Sequence, residues 1–404
     1  MAMGDRRRWV VLAFGLLAQA STCLFLYGLP MLVPQLRAEL GISFGAAGAI
    51  VGAPAVGLLL TLILWGAIAD RYGERLVITA GLLLAAAFLL GASRLHSTPM
   101  LCVALAAAGA SGASVNAASG RVVLGWFAAH ERGLAMGLRQ TAQPLGVAIA
   151  AVALPPVADR WSVATALGVP VVLCAVIGLL VLVFVVDPPR PAKGTVVAQG
   201  SPYRVPTLWR LHAASTLLVV PQFAISGFSM VYLVSVRHWD PIAAGRLLFV
   251  AQLLGAFGRI GAGAWSDRVA SRLTPMRQLA VASAAVMLAF ALGDRLNSAA
   301  VLGVLIAGAV ITVADNGLAF TAVAEFAGSS WAGRALGAQN TAQNVASALT
   351  PPLLGMLIQT HGYALGFAVA AVFPLLAIAM TPVLAERRRS VRPSESGALA
   401  SRRD

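Results

Sequence analysis

Gly66-Ala67-Ile68-Ala69-Asp70-Arg71 returns 197 residues later as Gly263-Ala264-Trp265-Ser266-Asp267-Arg268. A second stretch, Gly133-Leu134-Ala135-Met136-Gly137-Leu138-Arg139-Gln140-Thr141-Ala142-Gln143, returns 200 residues later as Gly333-Arg334-Ala335-Leu336-Gly337-Ala338-Gln339-Asn340-Thr341-Ala342-Gln343. Two echoes at nearly one offset, in a chain of 404 residues, mean two halves built alike.

The solvent of those halves follows from composition. The chain is 59% hydrophobic and only 11% charged, where a soluble domain carries about 25% charged residues. Its apolar runs approach the ~20 residues needed to cross a bilayer. Twelve spans can be placed, roughly at 9–33, 43–65, 76–93, 99–125, 135–155, 163–186, 211–234, 243–265, 277–293, 299–323, 335–358 and 364–384. The expected fold class is an all-α membrane protein of 12 transmembrane helices in two pseudo-symmetric six-helix bundles. The first bundle is 1–186. A cytoplasmic linker, 187–210, holds Pro188, Pro189, Pro191, Pro202 and Pro206. The second bundle is 211–384, and 385–404 reads as a polar, disordered cytoplasmic tail. Arg6-Arg7-Arg8 before Trp9–Val33 resembles the start of a signal peptide, but the apolar run is too long for one and reads as a retained helix.

The net charge of +14 does not form a nucleic-acid-binding stripe. With both termini inside, inner loops and tails hold 20 of the 29 basic residues and outer loops hold six. The other three, Arg121, Arg139 and Arg259, fall within spans. This bias predicts cytoplasmic termini. A single lysine, Lys193, amid abundant Ala, Gly and Arg points to a GC-rich bacterial genome, hence a bacterial inner membrane. Cys23, Cys102 and Cys174 lie in apolar runs with no metal-ligand or disulfide spacing. No nucleophile–base arrangement and no Gly-Lys-Ser/Thr phosphate loop occurs. Neither an enzyme nor a cofactor is expected, and the chain is expected to be a monomer.

Twelve spans, two similar halves and a Gly-x-x-x-Asp-Arg turn after the second span together resemble the major facilitator superfamily over about 9–384. That family's loop reads Gly-x-x-x-Asp-(Arg/Lys)-x-Gly-x-(Arg/Lys)-(Arg/Lys). Here Gly66, Asp70, Arg71, Gly73 and Arg75 match it, and Leu76 stands where a second basic residue is common. The resemblance implies a carrier working by alternating access, with a small molecule bound between the repeats. It also implies that Asp70 and Arg71, with Asp267 and Arg268 in the second copy, latch one conformation. The second copy lacks the following glycine, so its turn is expected to be looser.

Polar residues inside spans mark candidate lining. Arg139, Gln140 and Gln143 open the fifth span on one face; Gln339, Asn340, Gln343 and Asn344 open the eleventh. Asn316 echoes Asn116 at the same offset of 200, and both are expected to face the interior. Tyr27 and Tyr232 sit late in spans one and seven and either bind a ligand or belong to the outer aromatic belt. Pro155-Pro156 and Pro351-Pro352 are expected to break or kink the outer parts of spans five and eleven. Arg121 and Arg139 are shallow and serve as interface anchors, gate residues or an inner positive vestibule.

Arg259 is the sharpest signal. It lies eight residues before Asp267, roughly 12 Å along its helix, too deep to reach water, and such charges are usually functional. Gly258-Arg259-Ile260-Gly261-Ala262-Gly263 resembles the eighth helix of monocarboxylate and oxalate/formate-type carriers, which implies an arginine that holds a substrate carboxylate. Anion binding and a structural ion pair both remain open. Asp315 lies at matching depth in the tenth span and is the expected partner, either as a proton-coupling carboxylate or as a permanent counter-ion. Excess positive charge favours an anionic substrate, a monocarboxylate among them, moved with protons or against a counter-anion. The alternatives are a proton-driven exporter of drugs or metabolites and a non-transporting membrane sensor.

Overall fold

The computed structural model describes residues 2–187, 201–328 and 330–391. Most of the linker and the tail beyond 391 lie outside the described residues.

The first half is helical throughout. α1 (Ala2–Gly28) runs through a 3-10 turn into α2 (Val33–Leu40). α3 (Phe44–Tyr72), α4 (Glu74–Ala92) and α5 (Thr98–Trp126) follow; α6 (Arg132–Arg139) and α7 (Ala142–Arg160) share the fifth crossing, and α8 (Val163–Phe184) ends the half. The second half repeats this order. α9 (Pro206–Val231), α10 (Pro241–Arg268) and α11 (Leu273–Arg295) lead to α12 (Val301–Ala314) and α13 (Asn316–Ala327), which share the tenth crossing. α14 (Ala332–Ala370) and α15 (Val372–Met380) contain the eleventh and twelfth, and α16 (Val383–Val391) closes the described chain. Gly362, at φ 83 and ψ 170, breaks α14 into two crossings, so eleven apolar helical segments make the expected twelve.

Why the turns sit where they do is legible locally. Ser43 accepts from the Ala46 N–H and Asp240 from the Ala243 N–H, each fixing a helix start. Gly73, at φ 100, makes a one-residue turn between α3 and α4. Its second-half counterpart lacks that glycine, so four residues with Ala270 at φ 51 do the same job between α10 and α11.

Two expectations need correction. α7 and α14 run on through Pro155-Pro156 and Pro351-Pro352 without interruption. The fifth crossing breaks instead at Gln140–Thr141, and the tenth breaks at Asp315. The tail does not begin disordered: Glu386 accepts from Ser271 Oγ at 2.6 Å and from the Arg272 and Leu273 amides, which anchors α16 to the N-terminus of α11.

Burial explains how the halves meet. One apolar core lies wholly in the first half, around Leu24, Leu62, Leu82 and Leu105. Another lies in the second half, around Tyr232, Phe290 and Phe367. The third mixes both, joining Val123, Met136 and Phe127 to Leu211, Leu318 and Leu336. That shared core lies at the end carrying Asp70 and Asp267, here termed the latch end. α10 accordingly packs on α6 rather than on α7.

Candidate functional site

The latch is two crossed helix caps. α14 and α6 each begin with amides that no helical carbonyl can satisfy. Asp70, at the end of α3, accepts from the amides of Gly333 and Arg334 at 2.9 and 3.2 Å. Asp267, at the end of α10, accepts from those of Gly133 and Leu134 at 2.9 and 2.7 Å. Carboxylates at helix N-termini also meet the positive end of the dipole. The glycines of the repeat make room: a Cβ on Gly66 would overlap the Gly333 carbonyl, and one on Gly133 would overlap that of Gly263.

Each latch carboxylate is also ion-paired within its own half. Arg121 bridges Asp70 and Glu74, the latter at 2.8 Å. Arg121 therefore belongs to the latch rather than to an interface anchor. In the second half the arginine comes from the turn before α11: Arg272 pairs with Asp267 at 2.5 Å and approaches Glu325 at 3.7 Å. Arg334 adds a pair to Asp70 at 3.2 Å. Arg71 lies over the Tyr72 ring, and Arg268 is exposed at the same end.

Above the latch lies a central cavity of about 70 Å³, lined from both halves. Its wall is rich in carboxamides: Gln19, Asn116, Gln140 and Gln143 from the first half, Gln222, Asn316, Asn340, Gln343 and Asn344 from the second. Asn316 donates to Gln222 at 3.1 Å, and Gln19 donates to Asn116 at 3.4 Å, so the two asparagines of the repeat hold matching partners. Tyr27, Cys23 and Phe320 complete much of the wall.

Of the residues expected to bind substrate, Tyr27, Asn116, Gln143, Asn316, Asn340 and Gln343 stand on this wall. Tyr232 does not. It is buried among Phe290, Tyr363 and Phe367 and accepts from Arg237 Nε at 3.0 Å. It lies at the end of its crossing away from the latch, and its face turns into the second-half core.

The charged residues stand one layer behind the wall. Arg259 is 6% exposed and donates from Nη1 to the backbone carbonyl of Gln140 at 2.8 Å. Residue 144 is proline, so no N–H exists to take that carbonyl into a helical bond. The helix break and the arginine contact have one cause. In the second copy position 144 corresponds to Asn344, and α14 is continuous there. Asp315, 3% exposed, occupies the break in the tenth crossing. Its expected ion pair with Arg259 is absent: the two make no contact within 4.0 Å, and Arg259 Nε and Asp315 Oδ2 each lack a hydrogen-bond partner. Gln140 occupies Arg259 in its place.

Arg139 lies deeper than its place near a loop implied. It is 1% exposed and donates from Nε to Ser119 Oγ and from Nη1 to Gln140 Oε1, both at 2.8 Å. Its counterpart Gln339 bonds Ser215 and His212, and Gln343 joins the same serine at 2.8 Å. His212 in turn meets Tyr203 Oη at 3.1 Å, in the segment before α9, where burial raises the phenol's pKa. Gln19, Gln222, Ser215 and His212 were not singled out from sequence. Each is a polar residue inside an apolar run, which is the signal that could have found them.

Comparison with known proteins agrees with this architecture. Residues 15–351 match the family model described as Major Facilitator Superfamily. An uncharacterized MFS-type transporter of Mycobacterium tuberculosis is 41% identical over 400 residues, covering 96% of this chain and 90% of that one. Monocarboxylate transporter 13 of Rattus norvegicus is 28% identical over 328 residues, covering 76% of this chain and 73% of that one. Among solved structures, the proton:xylose symporter XylE superposes with a TM-score of 0.75 at 13% identity, covering 93% of this chain and 95% of that one, a likeness of fold alone. The chain belongs to the major facilitator superfamily, as a multi-pass membrane transporter of the secondary type.

Proposed function

We propose that this carrier moves a small organic anion and that Arg259 holds the anionic group. The observation carrying this reading is a guanidinium, almost wholly buried beside the cavity, that donates to a carbonyl and has no carboxylate oxygen within 4.0 Å. A planar arginine fork suits a carboxylate, which takes two parallel hydrogen bonds from it. The carboxamide wall suits the rest of such a ligand, since amides donate and accept without adding charge. The likeness to a monocarboxylate transporter points to the same class of substrate.

Asp315 takes up the proton when transport is proton-coupled. Its Oδ2 has no partner, and it interrupts the tenth crossing at cavity depth. Exchange against a counter-anion is the other mode. Asp70 and Asp267, with Arg71, Arg121 and Arg268 around them, keep the latch end shut while the far end admits substrate. The excess of arginine at the latch end supports an orientation with that end and both termini in the cytoplasm of a bacterial cell.

The test is uptake by the purified protein in proteoliposomes. Arg259→Lys keeps the charge but loses the fork, and is expected to abolish carboxylate uptake while the protein still unfolds cooperatively at its usual temperature. Normal transport by that variant removes Arg259 from the site.

A further inference from the structure

Arg139 is the largest wholly buried side chain among the described residues, and it has no counter-ion. Its guanidinium meets Ser119 Oγ, Gln140 Oε1, the Asn116 carbonyl at 3.4 Å, Met136 Sδ at 3.7 Å and the Phe320 ring at 5.8 Å. All of these are neutral, and no carboxylate lies within 4.0 Å. A cation buried inside a membrane protein without a partner is expensive. The scaffold does not require it: at the matching position of the second half the neutral Gln339 fills the same place. Asn116, Gln140 and Phe320, which surround Arg139, all stand on the cavity wall.

Gln140 supplies the spacing. Arg259 takes its backbone carbonyl and Arg139 its side-chain carbonyl, each at 2.8 Å. From one carbonyl to the other, glutamine has the carbon skeleton of glutarate. Two guanidinium groups are therefore set apart by the length of one short dicarbonyl chain.

We propose that Arg139 is a second anion anchor and that the carrier takes a short dicarboxylate. One carboxylate lies on Arg259, and the other displaces the Gln140 side-chain amide from Arg139. This rests on the anion-binding role of Arg259 given above. With a proton on Asp315, the two arginines and a dianion sum to zero.

The experiment is calorimetric titration of the full-length protein in lipid nanodiscs with glutarate, succinate, valerate and butyrate. Glutarate is expected to bind about tenfold or more tighter than valerate, the worth of one added charge-assisted contact. Arg139→Gln is expected to bring that ratio near one, and Gln140→Ala, which uncovers Arg139, to raise it. Arg259→Gln is expected to lose both classes. Equal affinity for both classes in the native protein, or an unchanged ratio in both Arg139→Gln and Gln140→Ala, overturns the second anchor alone. Should Arg139→Gln not fold, the Gln140→Ala ratio decides. Binding that survives Arg259→Gln, or no binding of any of the four, overturns the anion site and this proposal with it.

Discussion

Arg259 crosses between the halves and holds the backbone carbonyl of Gln140 at 2.8 Å. The carbonyl is available because Pro144 cannot donate to it. A sequence feature of the first half thus sets the resting place of a charged residue of the second.

Pro144→Ala returns the missing N–H, which then competes with Arg259. The helix is expected to close over Gln140–Thr141 and gain about 1 kcal/mol, or about 2 °C in thermal midpoint. Uptake is expected to slow, because the arginine loses its defined position. A midpoint and an initial rate, measured on the same preparation, check both halves of this statement.

Asp315→Asn keeps the shape of the tenth crossing and removes a proton acceptor. Accumulation driven by a pH gradient is expected to stop, while exchange of labelled for unlabelled substrate continues. Unimpaired accumulation by the variant rules Asp315 out as the coupling group.

Asp70→Asn weakens one cap and leaves Arg121 with Glu74 alone. Breaking a buried pair of this kind costs about 3 kcal/mol or more. Hydrogen exchange at the Gly333 and Arg334 amides is expected to rise about tenfold or more. Asp267→Asn should act in the same way on Gly133 and Leu134. Each variant reports on the helix of the opposite half, a pattern that general destabilisation does not produce.

Asp187 and Glu386 make a further pair of caps. Asp187 Oδ1 accepts from the Glu74 and Arg75 amides at 2.9 and 2.8 Å, as Glu386 does at the start of α11. Asp187→Ala and Glu386→Ala are each expected to cost about 1 kcal/mol, seen as a lowered thermal midpoint. Substrate affinity, measured by titration, should hold in both.

What could be read from the sequence depended on whether two copies used the same residue. Asp70 and Asp267 stand in nearly identical stretches, so the latch was legible in outline. Asp187 and Glu386 differ in type and lie in polar segments, so their shared role was hidden. Arg121 stands on α5 and Arg272 in the turn before α11, so only coordinates reveal that both pair with a latch carboxylate. The amide wall was half legible: Asn116, Asn316 and Gln343 echo across the repeat, whereas Gln19 and Gln222 do not stand at equal offsets. Tyr232 was misjudged because depth along a helix does not fix which face a side chain turns to. Pro144, unlike the double prolines, has no copy in the second half, where Asn344 takes its place. That single difference breaks the pseudo-symmetry where the charges lie.

The crossed caps also set an order in time. A chain made from its N-terminus presents the first bundle before residue 267 exists. Until then the amides of Gly133 and Leu134 have no carboxylate, and Asp70 has no helix to close. The first six crossings enter the membrane as an unfinished piece, and only the arrival of the second bundle completes both. On the function proposed above, closure of the working carrier remakes the same caps that assembly of the newborn protein makes first.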